Sequence, residues 1–339
     1  NGLRNMVKLI DEIQLAWNSI QASECSRGWS TVAVLSDHPG RFRAGRNFPD
    51  QCEALLAGFP ASMISRNEKL PQGLGFDVAR VDVGQDGLVW LALTRSPNGN
   101  LELFSAMVSD VLEASVAAGT PDRSGELRIF LGRIRAWQEF MRKGTLPLSP
   151  EREVGLVGEL TMLEKMLDIG INPEVAVGAW SGPFDGLRDF ELGFGAIEVK
   201  TTMATAGFIV KIAGLEQLDD THCNPIFIGA VRYALTESGQ TISEKINKIS
   251  ALLAFDTMTL SGFNDRVLAA GYIPAHASRY HRRFSLREIV VLEVDKNFPR
   301  LIHGNVTPGV ISARYEINLE PLLVQDIGLN AALKKMEMI

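Results

Sequence analysis

The sequence lacks any hydrophobic run that could cross a membrane, because none approaches the about 18 apolar residues that a span requires. It also has little cysteine. Cys25, Cys52 and Cys223 are odd in number and far apart, which argues against both a disulfide framework and a zinc site. The first residues have the pattern of an amphipathic helix and not of a secretory signal peptide. We therefore expect a protein of the reducing cytoplasm without membrane contact.

Several catalytic motifs are missing as well. The chain has no glycine-rich phosphate loop with its lysine and no serine in a nucleophile elbow, and its five histidines show no metal-ligand spacing. Its 339 residues are 46% hydrophobic and 22% charged, which is typical of a globular protein with one large core or two moderate ones. The net charge of −6 does not exclude nucleic-acid binding, since a sum over the chain averages over local patches.

The segment 189–202 is the most informative part of the chain, because it places acids and a lysine on two short apolar stretches. Alternate side chains of a strand share a face, so Glu198 and Lys200 point one way, roughly 6.6 Å apart along the strand. Two glycines allow a tight return between the stretches. The resulting hairpin would bring Asp189 or Glu191 beside Glu198.

Paired carboxylates are ligands that suit Mg²⁺, with Mn²⁺ as a substitute, because Mg²⁺ takes one or two carboxylates and completes its shell with water and phosphate oxygens. A neighbouring lysine could hold the attacking water or offset charge that grows on phosphorus. The alternative is an ordinary surface pair, since glutamate and lysine two apart on a solvent-facing strand are common. The β-branched residues around Glu198 favour a central strand, where exposed charge is less usual.

Asp189, eight intervening residues and then Glu198-Val199-Lys200 resemble the core motif of the PD-(D/E)XK nuclease superfamily, which has the restriction-endonuclease-like fold. The proline that usually precedes the first acid is replaced by Arg188. Asp185 is a rival for the first acid. We prefer Asp189, because it directly precedes the apolar stretch whereas Asp185 lies in a turn rich in glycine and proline.

A helix is predicted to begin after Ser149, a capping residue followed by Pro150. Its buried face is marked by Leu156, Leu160, Leu163 and Leu167. Glu159 lies on this face, and a buried carboxylate needs a metal or a hydrogen-bond partner to offset its loss of solvation. The resemblance implies that Glu159 joins Asp189 and Glu198 in the metal shell; a carboxylate paired with a backbone group or an arginine is the alternative.

An ordered series of motifs is similar, more narrowly, to a bacterial group of PD-(D/E)XK proteins that occur among phage-defence and restriction genes. The series comprises Trp137, 155–160, 180–183, 189–190, 197–202 and 217–218. The resemblance implies that Gln217, expected on a helix after the strand 208–212, lies near the site; a surface glutamine is the alternative. Thr201 and Lys211 could contact a phosphate.

The segment 276–287 is dense in cations with aromatic residues among them, as a surface that binds a nucleic-acid backbone would be. Arg279, Arg282 and Arg283 are therefore candidate nucleic-acid contacts.

Three regions follow one another along the chain. Residues 1–120 are predicted to form a smaller N-terminal α+β domain, 125–260 the nuclease core and 261–339 a C-terminal α/β extension that packs on the core. The fold class is α/β (α+β), with a central mixed sheet flanked by helices. These features favour a Mg²⁺-dependent phosphodiesterase that cuts duplex DNA in restriction or phage defence, as a homodimer or within a defence complex. The alternative is a catalytically silent scaffold that binds nucleic acid or a partner protein.

Overall fold

The computed structural model describes residues 2–20, 27–35, 41–65, 67–83, 87–117, 123–144, 146–221 and 223–339. The chain forms two units, residues 1–144 and 145–339. Cys25 and most of the turn-rich segment 119–125 lie outside the described residues. Cys52 and Cys223 are free thiols. In the described part of the chain, no helix is both long enough and apolar enough to span a membrane.

The described part of the first unit combines an antiparallel sheet with three α-helices. These helices are α1 Gly2–Ser19, α2 Leu101–Ala117 and α3 Arg123–Lys143. The strands are β1 Gly28–Val34, β2 Phe42–Phe48, β3 Cys52–Pro60, β4 Gln72–Gly73, β5 Phe76–Val81 and β6 Leu88–Arg95. They lie in the order β1-β2-β3-β6-β5-β4.

The boundary between the units follows α3, whereas the sequence pattern placed it before this helix. Helix α3 is attached to α2 by partly buried polar contacts. Asp110 of α2 accepts hydrogen bonds from Arg133 Nε and Trp137 Nε1 of α3, both at 2.6 Å. Helix α3 is thus part of the first unit.

The second unit contains the segment 189–202. Its helices are α4 Pro150–Ile169, α5 Pro173–Ala179, α6 Ile242–Leu253, α7 Thr257–Ala269 and α8 Gly328–Lys335. Its strands are β7 Phe190–Leu192, β8 Gly195–Thr202, β9 Ile209–Ile212, β10 Ile226–Gln240, β11 Phe284–Glu293 and β12 Tyr315–Asn318.

The main sheet of this unit is mixed and has the order β11-β10-β8-β7. Strand β8 runs parallel to β10, while β7–β8 and β10–β11 are antiparallel. Helices α4 and α6 pack on one face, against residues such as Ile197 and Val199. The pair β9–β12 packs on the other face, against Ile226 and Ile228. This arrangement confirms the predicted mixed α+β fold.

The helix predicted after Ser149 is confirmed as α4. The Ser149 hydroxyl accepts a hydrogen bond from Arg152 N at 3.3 Å, and Pro150 occupies the first turn, where its missing N–H has no cost. The helix ends at Ile169 and is followed by the capping residue Gly170, which has φ 98°, a conformation that favours glycine.

Candidate active site

The β7–β8 hairpin sets Asp189 beside Glu198. Phe190 is the first residue of β7 and the Cα partner of Ile197, so Asp189 lies one residue before the first pair of the hairpin. Its Oδ2 accepts a hydrogen bond from Val199 N at 2.7 Å, in the place where another β7 residue would have paired. The carboxylate thus caps the open edge of β8.

Glu198 is almost fully buried, at 4% exposure. Its Oε1 accepts hydrogen bonds from Lys200 Nζ, at 2.7 Å, and from Gln217 Nε2. Burial raises the pKa of Glu198, although the Lys200 ammonium and the Arg188 guanidinium act to lower it. The Glu198–Lys200 pair lies on the β9 side of the sheet, with Glu198 buried and Lys200 partly buried, and is not a fully solvent-facing surface pair.

Glu159 reaches the site from α4, which packs very closely on β8. A Cβ atom added to Gly158 would lie 1.8 Å from Thr201 Oγ1, so only glycine permits this approach. Glu159 is partly buried, and its Oε2 accepts a hydrogen bond from Trp180 Nε1 at 2.7 Å. The Glu159 carboxylate, which the sequence places on the buried face of α4, therefore has a hydrogen-bond partner in Trp180.

Both Glu198 and Glu159 influence the pKa of Asp189. Burial first, and then the charges of Glu198 and Glu159, raise its pKa well above the ordinary value, against the lowering effects of the Val199 N–H and of Lys200. The repulsion of the Asp189 carboxylate by these two acids creates a local demand for positive charge. Lys200 meets part of this demand.

Gln217 does not lie on a helix as predicted. It occupies a turn that follows β9, because Arg188 and the Gln217 side chain organise this segment without helical hydrogen bonds. Its Oε1 accepts a hydrogen bond from Ala213 N at 2.9 Å while its Nε2 donates to Glu198. Gln217 is therefore in direct contact with the candidate site.

Arg188 was noted in the sequence only as a departure from the usual proline. Its guanidinium is buried and donates to the carbonyl oxygens of Glu216, Gln217 and Asp219. The only sequence signal for this role was a cation in the place of that proline.

The remaining candidates near the motif lie elsewhere. Asp185 is exposed at the end of a short 3₁₀ helix, in the left-handed conformation with φ 59°. Thr201 alternates onto the α4 side of β8, opposite to Lys200, and its hydroxyl is buried without a hydrogen-bond partner among the described residues. Thr201 thus packs against Gly158 and does not face the Glu198 side.

Two of the four candidate nucleic-acid contacts are engaged within the protein. Arg282 pairs with the buried Glu153 at 2.6 Å, and Arg283 pairs with Glu244 at 3.0 Å. Arg279 and Lys211 are exposed. A phosphate at Arg282 would have to displace a carboxylate that is itself buried, so Arg279 and Lys211 are the more accessible cations.

The donor set fits Mg²⁺ in its chemistry. Among the described residues, no three Asp, Glu, His or Cys side chains are gathered into a ready-made metal-binding group. Mg²⁺ needs only one or two carboxylates, and Asp189 Oδ1 has no hydrogen-bond donor in the described part of the chain. The hard oxygens of Asp189 and Glu198, with Glu159 nearby, are suitable ligands.

Comparison with known proteins identifies the family. A family model with the description "Putative PD-(D/E)XK family member, (DUF4420)" matches residues 13–320. Neither a search of curated proteins nor a search of solved structures found a match. The family match covers most of the chain and both of its units, and it includes every candidate site residue named above. The chain therefore belongs to the DUF4420 family of PD-(D/E)XK proteins.

Proposed function

We propose that this protein is a Mg²⁺-dependent nuclease that hydrolyses phosphodiester bonds of duplex DNA in restriction or phage defence. The observation that carries the proposal is that Asp189 lies close enough to Glu198 and to Glu159 for both charges to raise its pKa, while Lys200 pairs with Glu198 at 2.7 Å. A buried carboxylate whose pKa is raised by neighbouring acids has little value for stability, whereas it is suited to binding a cation.

Asp189 and Glu198 would hold the cation, and Glu159 would complete or orient its shell. When bound, Mg²⁺ would polarise the phosphate and make a bound water more acidic. Lys200 is 14% exposed, so its ammonium can reach a substrate oxygen while Glu198 fixes its position. It would orient the attacking water or stabilise the charge that develops on the phosphoryl oxygens. Gln217 would keep the Glu198 carboxylate in place.

Cleavage assays with Lys200→Met test this proposal. Purified protein with Mg²⁺ or Mn²⁺ is incubated with duplex, single-stranded and modified DNA and with RNA. Removing a group that stabilises transition-state charge costs about 10²–10³ in kcat. Lys165→Met is the matched control, because the Lys165 side chain on α4 is 41% exposed and pairs with Asp168. Equal cleavage by wild type and K200M would contradict the assigned role, and no cleavage of any substrate would contradict the enzyme.

A catalytically silent scaffold is the second candidate. It is favoured by one observation: Lys200 and Gln217 both donate to the same oxygen of Glu198, so the carboxylate is satisfied within the protein. A scaffold of this kind would bind DNA or a partner protein with no requirement for a divalent cation. DNA binding that is independent of Mg²⁺ and of Asp189, without cleavage, would support it.

A further inference from the structure

We propose that Arg188 is a positioning residue that fixes Gln217, and that Gln217 in turn holds the Glu198 carboxylate. The inference rests on the proposed function for its catalytic consequence, although the link between Arg188 and Gln217 can be tested without it. Nothing in the resemblance assigns a role to the residue in place of the usual proline.

The first observation is the setting of the Arg188 guanidinium. The residue is only 5% exposed, and its Nε and Nη2 donate to Gln217 O at 3.2 Å, Glu216 O at 3.2 Å and Asp219 O at 2.5 Å. No carboxylate in the described part of the chain lies within ion-pair distance of its guanidinium, although its charge acts on Glu198 from farther away. A buried cation without a carboxylate partner is costly unless its N–H groups are used, and here they tie together one turn.

The second observation is that both ends of the Gln217 amide are used. Nε2 donates to Glu198 Oε1, and Oε1 accepts from Ala213 N at 2.9 Å. The two partners also fix which end is nitrogen, because a reversed amide would set two oxygens against each other at Glu198. Gln217 can hold Glu198 only while its own backbone stays in place, and Arg188 bonds directly to its carbonyl group.

The chain position of Arg188 adds a geometric reason. It directly precedes Asp189, so one residue connects the first acid to the turn that holds the second acid. A proline at this position has no side-chain donor and could not make this connection. Lysine would keep the charge but not the planar fork that reaches three carbonyl groups.

The test is a double-mutant cycle of Arg188→Lys and Gln217→Met. Changing a residue that orients a metal ligand typically costs 10–100-fold in metal affinity or activity, so we expect R188K to weaken Mn²⁺ binding or lower kcat by about this factor, with the KM for DNA little changed. In the Q217M background, R188K should add almost nothing, because the residue through which it acts is gone. Additive losses would overturn the inference.

Arg300→Lys is the matched control. Arg300 donates to Leu218 O at 2.6 Å and to Asp220 at 2.9 Å, so it supports the same segment without touching Gln217. We expect R300K to retain metal affinity and kcat close to those of the wild type. A loss as large as that of R188K would mean that general loosening of the segment explains both, which would overturn the specific role of Arg188.

A readout that does not depend on nuclease activity separates the two proposals. In NMR spectra of the wild type, the Gln217 side-chain amide and the Arg188 Nε–H should be protected from solvent exchange, and R188K should remove the protection at Gln217. Rapid exchange of both groups in the wild type would overturn the inference even if R188K does not fold. A wild type that shows the protection but neither binds metal nor cuts DNA would contradict the proposed function alone.

Discussion

Replacing Gly158 by alanine should push α4 away from β8. The new Cβ would lie 1.8 Å from Thr201 Oγ1, whereas ordinary contact begins at 3.4 Å, so the shortfall is about 1.6 Å. The obstacle is a β-branched side chain within a strand, which cannot simply swing aside. Overpacking of this kind typically costs about 1–3 kcal/mol.

Gly155→Ala is the internal control, since it lies on the same helix and a Cβ added there would meet nothing within 4 Å. Alanine is favoured over glycine within a helix by up to about 1 kcal/mol, so G155A should be neutral or stabilising. Two identical changes three residues apart are thus expected to have opposite effects.

Native-state hydrogen exchange of peptides from 150–169 measures the difference. A loss of about 1–3 kcal/mol corresponds to about 5- to 140-fold faster exchange in G158A, because 1.4 kcal/mol is tenfold. Thr201→Ala should partly restore slow exchange, since it removes the clashing hydroxyl and leaves the residue 201 Cβ at 3.0 Å. G158A that exchanges as slowly as G155A would refute the close packing. Because Glu159 follows Gly158, a displacement near 1 Å should also lower cleavage about 10²-fold.

Three further predictions concern charged groups. The raised pKa of Asp189 means that the metal-free protein should lose stability as pH rises above the ordinary aspartate value of 3.8 toward that raised pKa. D189N should reduce this loss to the part that the raised pKa of Glu198 causes, raise the melting temperature at neutral pH and abolish cleavage. E159A should destabilise the protein by about 1–3 kcal/mol, because Trp180 Nε1 loses its acceptor, whereas E159Q should be nearly neutral in a urea titration and still impair cleavage. K245A should destabilise the fold more than K248A, although both lysines pair with the buried Glu164. Lys245 is itself buried, and breaking a buried ion pair costs up to about 3–5 kcal/mol, whereas the side chain of Lys248 is 53% exposed.

Local features of the sequence were sufficient to predict the hairpin and α4. Alternation around Glu198 with glycines at the turn predicts β7 and β8, and Ser149 with Pro150 predicts the start of α4; all three elements are confirmed. Such features depend on neighbours within a few residues, which a single sequence displays.

Contacts between distant segments were not predictable in the same way. The turn at Gln217 takes its shape from Arg188, about 30 positions earlier, so a pattern that suggested a helix was misleading. The cations Arg282 and Arg283 resembled a phosphate-binding surface, but carboxylates from α4 and α6 pair with them. The sequence gives the charges of such residues but not their partners.

Calorimetric titration of Mn²⁺ tests the central claim, the metal site at the edge of β8, most directly. Wild-type protein should bind Mn²⁺ at a site that D189N lacks. E191Q should keep it, because Glu191 is an exposed acid on the same hairpin, two residues from Asp189. Loss in D189N together with retention in E191Q is the predicted result. Binding that survives in D189N, or a wild type that binds no divalent cation, would contradict the account.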